Sequence, residues 1–205
     1  HILRSAKGDW HLAASIESDL TLMSSLDRLR AKVHFSQTAV GDRWLSQALR
    51  DSSCNVLGVE DSGHLVMSAP NPNGGRCLVG DGVASMLIVL CAMSCKERVE
   101  PFERGFKQRT SIKNSVRSRW TGNNALADTV EHIATSKLGP MKRHGLIGEA
   151  NLMLLEIDGI SIGIRNSGTQ AKTNVSLRIS PGFKHSDAVE SVEQIIATLR
   201  DTLVD

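Results

Sequence analysis

Cys54-Asn55-Val56-Leu57-Gly58-Val59-Glu60-Asp61-Ser62-Gly63-His64 runs a short apolar segment straight into a polar turn. Cys54 to Val59 has the length and β-branched content of a strand, and its nearly unbroken apolar character suits a central one. Asp61-Ser62-Gly63 is good turn chemistry. Upstream, Gly41-Asp42 starts a helix with Trp44, Leu45, Ala48 and Leu49 on its apolar face, Asp42 standing at the N-cap. Further upstream, Lys32 to Gln37 alternates like a strand. Leu22, Met23, Leu26, Leu29 and Val33 follow helical spacing, and Leu12 to Ile16 is another strand. Residues 1–6 read as the tail of a helix. Downstream, Leu65 to Ser68 is a strand, and Pro70, Pro72, Gly74 and Gly75 mark a surface loop. Asp81 caps a helix from Gly82 to about Cys95 that is apolar nearly all round and is therefore expected to be buried. Strands alternating with helices predict an α/β layer architecture with a mainly parallel sheet.

A different grammar begins after the polar stretch Lys96–Pro101, which is expected to be a linker. Gly105 to Val116 is a long polar strand candidate. Ala125 to Ser136 is a helix carrying Leu126, Val130, Ile133 and Ala134 on one face. Leu152 to Glu156 and Ile160 to Ile164 flank Asp158-Gly159, the pattern of a hairpin with a type I′ turn. Val175, Leu177 and Ile179 alternate inward, and a last amphipathic helix runs from about Ser186 to Leu203. Strands beside strands with helices on one side predict α+β with an antiparallel sheet. The fold class is thus α/β followed by α+β, with domains at 1–98 and 102–205.

Bulk properties exclude several classes. The 205 residues are 40% hydrophobic and 22% charged, which is globular rather than disordered. A net charge of +2 and an aromatic content of 3% with no Tyr give little footing for nucleic-acid binding. The longest apolar run, Ala84 to Met93, is too short to span a bilayer, and no signal peptide is seen. Cys54, Cys77, Cys91 and Cys95 form no C-x-x-C pair and read as reduced thiols of a cytosolic protein, with Cys91 and Cys95 buried. A start at His1 is expected for a fragment, a processed product or a natural truncated protein.

Two loops carry chemistry. Glu60, Ser62 and His64 follow a strand end, where ligands sit in α/β sheets. A carboxylate and a hydroxyl there hold sugar hydroxyls, and a histidine binds or shuttles a proton. In Arg165-Asn166-Ser167-Gly168-Thr169, between two strand-like segments, arginine offers a planar fork of donors to a phosphate. The hydroxyls add donors, and glycine lets backbone N–H groups approach an anion. Each loop also reads as an ordinary turn. The basic run Arg104, Lys107, Arg109, Lys113, Arg117 and Arg119 reads as a solvated edge strand, with a nucleic-acid surface as the alternative.

Together these motifs resemble the C-terminal half of the α-D-phosphohexomutase superfamily, which includes phosphomannomutase, phosphoglucomutase and phosphoglucosamine mutase. Glu60-Asp61-Ser62-Gly63-His64 resembles that superfamily's Gly-Glu-x-Ser-Gly-His sugar loop, with Gly58 one residue early and Val59 in the glycine's place. Gly80-Asp81-Gly82 resembles its Gly-Asp-Gly, read here as a helix cap. Thr38-Ala39-Val40-Gly41-Asp42-Arg43 resembles the Thr-x-Val-Gly-Asp-Arg segment of the phosphoglucosamine-mutase-like branch. Gln37 and Ala39 replace the usual basic neighbours there, and Arg43 keeps a charge. Arg165, Ser167, Gly168 and Thr169 match the first positions of the phosphate loop Arg-x-Ser-Gly-Thr-Glu-Pro. Gln170 and Ala171 replace Glu and Pro, Asn174 stands where a second arginine is common, and Lys172 is a nearby compensating charge.

The resemblance implies domain three, a three-layer α/β/α unit whose start is missing, followed by domain four, a TATA-binding-protein-like antiparallel sheet with helices. It implies that the parent interconverts hexose 1- and 6-phosphates through a hexose 1,6-bisphosphate in the cytoplasm. Glu60, Ser62 and His64 would hold sugar hydroxyls, His64 aiding proton transfer, and Arg165, Ser167, Gly168 and Thr169 would hold the phosphate. Arg43, Gln170 and Lys172 are secondary candidates. The parent's phosphoserine and its Asp-x-Asp-x-Asp loop for Mg²⁺ belong to an N-terminal half, the implied partner, and neither is in this sequence. The chain alone is therefore not expected to catalyse. A non-catalytic phosphosugar-binding module and a nucleic-acid-binding domain are the alternatives.

Overall fold

The computed structural model describes residues 1–94 and 103–205. The expected linker at Lys96–Pro101, Cys95, and the expected boundary between 98 and 102 lie outside the described residues. The chain forms two compact units, one of His1–Ser18 and Leu22 onwards, the other of Asp19–Thr21 with Glu103–Asp205. No helix among the described residues is long and apolar enough to cross a membrane.

In the first unit a short 3-10 turn, Ile2–Arg4, replaces the expected helix tail. It is followed by β1 (Asp9–Ser15), α1 (Thr21–Leu26), β2 (Lys32–Thr38), α2 (Asp42–Leu49), β3 (Asn55–Val59), β4 (Leu65–Pro70), β5 (Arg76–Val79) and α3 (Gly82–Ser94). α1 stops at Leu26, short of the helical spacing read through Val33, and Val33 belongs to β2. The strand order is β2-β1-β3-β4-β5. β1 pairs in parallel with β2 and β3, whereas β3–β4 and β4–β5 are antiparallel. The sheet is thus mixed rather than mainly parallel. Only residues 60–64 separate β3 from β4, enough for a hairpin but far short of the dozen or so residues a parallel crossover needs.

Consecutive residues of the inner strands face opposite sides. Ala13, Val56 and Val66 pack with Leu45 and Leu49 of α2. Leu12 and Leu57 pack on the other side with Leu3, Leu22, Leu26 and Val33. The result is three layers, helix, sheet and helix. The α2 side is unusually close, because Ala13 pairs with Gly58 in the register. A Cβ on Gly58 would lie 3.0 Å from the Cβ atoms of both Leu45 and Val66. Leu45 and Leu49 are fully buried on this flat patch, each contributing about 1.5–3 kcal/mol of burial.

Three expectations change here. Gly41, not Asp42, occupies the N-cap of α2. Pro70, read as a loop residue, ends β4 and pairs with Arg76 of β5, a strand over residues to which the sequence assigned no element. And α3 is exposed rather than buried. Asp81 does cap it, its Oδ1 accepting from the N–H groups of Val83 and Ala84 at 2.8 and 2.9 Å. Yet only Ser85 is buried, while Val83, Met86, Leu87, Leu90 and Met93 are all more than half exposed. Cys91 is likewise exposed, contrary to the expected buried pair, although Cys54, Cys77 and Cys91 are free thiols as expected.

The second unit contains β6 (Phe106–Lys113), a 3-10 turn at Arg117–Arg119, α4 (Ala125–Leu138), β7 (Lys142–Leu146), β8 (Glu149–Ile157), β9 (Ile160–Asn166), β10 (Lys172–Ile179) and α5 (Ser186–Leu203). All pairings are antiparallel, in the order β6-β10-β9-β8-β7. One face packs on α4 and α5 through Met153, Leu155, Ile162, Ile164, Val175 and Leu177. This is the expected α+β arrangement, with β6 at the sheet edge as anticipated. α4 begins at Asn124, whose side chain accepts from the Ala127 N–H, and ends at Gly139 with φ 86°. Arg143 on β7 ties that strand to α4, donating to Asp128 (2.7 Å) and Glu131 (2.8 Å) and to the Gly122 carbonyl (3.0 Å). These partners, the Asp128 hydrogen bond first, raise the pKa of its guanidinium further. In the β8–β9 hairpin Ile157 pairs with Ile160 across Asp158-Gly159. Only Gly159 has positive φ, so the turn lacks the second positive φ that type I′ requires.

Candidate functional site

The parallel strands β2 and β3 end side by side with β1, and the loops after them meet. Close seating of α2 on Ala13 and Gly58 brings its first turn to the end of β3. There the Glu60 carboxylate accepts from the Gly41 N–H through Oε1 and from the Ser62 hydroxyl through Oε2 at 3.1 Å. The turn closes with Glu60 N–H to His64 O and Gly63 N–H to Glu60 O, both 3.0 Å. Gly63 takes φ 91°, a conformation that strains any residue with a Cβ. His64 Nδ1 lies 3.2 Å from Asp42 Oδ1 and 3.8 Å from Glu60 Oε2. The Glu60 side chain is 7% exposed and that of His64 64% exposed, so the first is held and the second is free to meet a ligand.

Glu60, Ser62 and His64 are thus brought together as expected. Asp42 joins them, which sequence reasoning missed by assigning it to a cap. Arg43 does not join: its guanidinium sits 4.7 Å from the centre of the Trp44 ring. Asp42 and His64 line a cavity of about 550 Å³, with Leu65, Gly80, Asp81 and Met86 among its walls. Hydroxyl-binding groups at one rim and apolar side chains along a wall suit an amphipathic ligand such as a sugar ring.

Asp42, Glu60 and His64 also present ligand atoms within 4.8 Å of one another, the grouping among the described residues that a metal ion could bridge. It does not suit Mg²⁺, which prefers an octahedron of oxygens and keeps several waters. An imidazole nitrogen and a carboxylate already held by a backbone N–H are poor partners for it.

In the second unit, Arg165 is the penultimate residue of β9. Its side chain is 12% exposed, with Nη1 3.6 Å from Glu149 Oε1. The next residue, Asn166, faces the other way and pins the loop to the body of the unit. Its Nδ2 donates to the carbonyls of Arg117 and Trp120, each at 2.9 Å. Thr173 Oγ1 lies 2.9 Å from Asn166 Oδ1 and 3.0 Å from Ser115 Oγ. Ser167 Oγ accepts the N–H groups of Thr169 and Gln170 at 3.5 and 3.3 Å. Two accepted bonds leave the Ser167 hydroxyl proton to be donated elsewhere. The Ser167 N–H donates to Lys172 O and the Lys172 N–H to Gln170 O, both at 2.8 Å, so Lys172 anchors the loop through its backbone. Gly168, Thr169 and Gln170 are exposed at the tip. An arginine fork and a serine hydroxyl proton are donors of the kind an oxyanion binds, while the Thr169 and Gln170 N–H groups are turned onto the buried Ser167 Oγ. Asn166 was missed as a residue that orders this loop because it falls on the variable position of the motif, and two of its three partners, Arg117 and Trp120, lie more than forty residues away.

Comparison with known proteins agrees with this architecture. The phosphoglucomutase/phosphomannomutase α/β/α domain III family matches residues 2–120, running past the first unit through β6. A phosphoglucosamine mutase of Methylobacterium sp. (strain 4-46) is 29% identical over 205 residues, covering 97% of this chain and 40% of the relative. A phosphoglucosamine mutase of Methylocella silvestris is 26% identical over 191 residues, covering 93% and 35%. The chain therefore spans well under half the length of these relatives. The crystal structure of a phosphoglucomutase/phosphomannomutase family protein from Burkholderia thailandensis superposes with a TM-score of 0.56 at 10% identity, over 94% of this chain and 38% of that one. That likeness shows a shared fold. With more than half of its residues matched by the domain III family, this chain belongs to the phosphoglucomutase/phosphomannomutase family.

Proposed function

We propose that this chain is the recognition part of a phosphosugar mutase that interconverts 1- and 6-phosphates of a hexose, and specifically of a hexosamine. The observation that carries this reading is the Arg165–Thr169 loop. It joins Arg165, at the end of β9 beside Glu149, to the buried Ser167, whose Oγ orders the loop, and to an exposed tip of Gly168, Thr169 and Gln170. Arg165, Ser167, Gly168 and Thr169 take the phosphate that is not transferred, and the exposed Gln170 extends that tip. Glu60 and Ser62 hold sugar hydroxyls, and His64 contacts the ring and assists proton transfer. The hexosamine preference rests on the Thr38–Arg43 segment and on the phosphoglucosamine mutases among the relatives. The phosphoryl-carrying serine and the Mg²⁺ site are assigned to the part of the parent outside this sequence, and the parent to the cytoplasm. The domains are drawn at 1–98 and 102–205.

In that scheme the chain's own residues bind and orient. Arg165 and the loop it adjoins fix one phosphate so that the other end of the hexose is presented for transfer. The Glu60 carboxylate, already set by Gly41 and Ser62, accepts a hydroxyl hydrogen through its remaining lone pairs.

Calorimetric titration with glucosamine 6-phosphate, glucose 6-phosphate, mannose 6-phosphate and inorganic phosphate tests the proposal. Arg165→Ala weakens every phosphate-bearing ligand by about tenfold or more, the range of a charge-assisted hydrogen bond. Glu60→Gln weakens the sugar phosphates and spares inorganic phosphate. Sugar-phosphate binding that is indifferent to Arg165 contradicts the proposal.

A further inference from the structure

We infer that Asp42 is a positioning residue that fixes the tautomer of His64, and that Gly80 exists to make room for it. This rests on the reading of the adjoining cavity as the hexose site, but its physical core does not. The first residue of a helix commonly spends a carboxylate on the helix's own free N–H groups. Asp42 follows an N-cap, Gly41, that has no side chain of its own, and the hydrogen bond its carboxylate makes is to His64. The Gly41 carbonyl instead accepts from the N–H groups of Trp44 and Leu45 at 2.9 and 3.4 Å. Asp42 Oδ1 lies 3.2 Å from His64 Nδ1. A carboxylate only accepts, so the proton on this contact belongs to Nδ1. Glu60 Oε2, 3.8 Å from the same nitrogen, favours the same placement.

The second observation is independent of the histidine. Gly80 has no positive φ, so its backbone does not require glycine. A Cβ there would stand 2.9 Å from Asp42 Oδ2. The half-exposed carboxylate thus has Gly80 against one oxygen and His64 against the other, a contact of the first glycine of Gly80-Asp81-Gly82 that is separate from capping. With the proton fixed on Nδ1, the neutral ring keeps the lone pair on Nε2. His64, 64% exposed and on the cavity rim, then offers an acceptor to a sugar hydroxyl rather than a second donor. Orientation of imidazole by a carboxylate on its far nitrogen is the general way in which a ring's reactive nitrogen is chosen.

The test reads the tautomer directly by two-bond ¹H–¹⁵N correlation of the full chain labelled with ¹⁵N-histidine, at a pH where His64 is neutral. The wild type shows His64 protonated on Nδ1. Asp42→Ala cuts the Nδ1–H fraction several-fold, towards the Nε2–H form that free imidazole prefers. Gly80→Ala, which retains the carboxylate but displaces it, does the same in part, and Asp42→Glu restores the wild-type signal. Asp42→Ala also weakens glucosamine 6-phosphate binding several-fold while sparing inorganic phosphate. A wild-type ring protonated on Nε2, or an Nδ1–H fraction unchanged in both Asp42→Ala and Gly80→Ala with the rest of the spectrum intact, overturns the inference. The tautomer needs no ligand, so a chain that binds no sugar phosphate defeats the functional proposal and leaves this result standing.

Discussion

Asn166 illustrates how much of the Arg165–Thr169 loop is set by the one residue of its motif that was not read as chemical. Its amide donates to the carbonyls of Arg117 and Trp120, the second of them buried, and itself accepts from Thr173. Asn166→Ala takes the side-chain donor from the buried Trp120 carbonyl, while the Arg117 carbonyl keeps the Trp120 N–H and the Thr173 hydroxyl keeps Ser115, at a cost of about 1–3 kcal/mol. Urea unfolding of the full chain measures this, and a loss under about 0.5 kcal/mol contradicts the assignment. A second residue-scale expectation concerns pH. Burial first, and then the charge of His34, lower the pKa of His11 from its ordinary value of 6.5. A histidine whose folded pKa is depressed binds protons more readily when unfolded. Its contribution to stability is therefore complete above the ordinary value and is lost as pH falls through it towards the folded value. His11→Gln, which can keep the 2.8 Å contact to Ser36, flattens the drop in urea midpoint between about pH 7.5 and about pH 5.5. An unchanged drop contradicts the assignment. Glu60, Ser62, His64, Arg165 and Ser167 were legible as chemistry because their residue types and spacing carry it. Asp42 and Asn166 were not, since their roles depend on partners more than twenty residues away.

At the scale of elements, the closest packing in the first unit is α2 on β1 and β3, where Ala13 faces Gly58. Gly58→Ala adds a methyl 3.0 Å from two Cβ atoms and is expected to destabilise by about 1–3 kcal/mol. It should also move the first turn of α2, and with it Asp42, away from His64. Denaturant unfolding reads the first effect and the His64 tautomer the second; a neutral substitution contradicts the close seating. Most elements were legible from periodicity, with two informative failures. β5 and β7 have sequences, Arg76-Cys77-Leu78-Val79 and Lys142-Arg143-His144-Gly145-Leu146, without clear apolar alternation. They are strands because a neighbouring strand supplies hydrogen bonds, which a local pattern does not encode. α3 was read as buried because it is apolar on all sides, but composition states only what a helix would gain by burial. It does not supply the surface that would cover it.

At the scale of the whole chain, two different sheet logics sit in one sequence of 205 residues. The first sheet is covered on both faces, and its candidate site residues lie in loops at strand ends. The second has a helix-covered face and an opposite face on which Lys107, Arg109, Lys172, Arg178 and Arg165 fall by register. The basic run noted along β6 is therefore one edge of a charged sheet face. Within that face Arg178 donates to Ser161 at 2.7 Å and lies 3.7 Å from Glu156, so it is bound into the sheet rather than displayed. The order α/β then α+β was legible because the two halves differ in how their apolar residues recur. The mixed pairing of the first sheet was missed because strands alternating with helices were read as mainly parallel, although the five residues between β3 and β4 are too few for a parallel crossover. The claim on which the functional account turns is that the Arg165–Thr169 loop takes a phosphate. Amide ¹H–¹⁵N spectra recorded during titration with glucosamine 6-phosphate test it most directly. The account predicts saturable shifts of the Ser167, Gly168, Thr169 and Gln170 amides that inorganic phosphate reproduces in part and Arg165→Ala abolishes. Amides that stay in place at saturating ligand, or that shift equally in Arg165→Ala, contradict it.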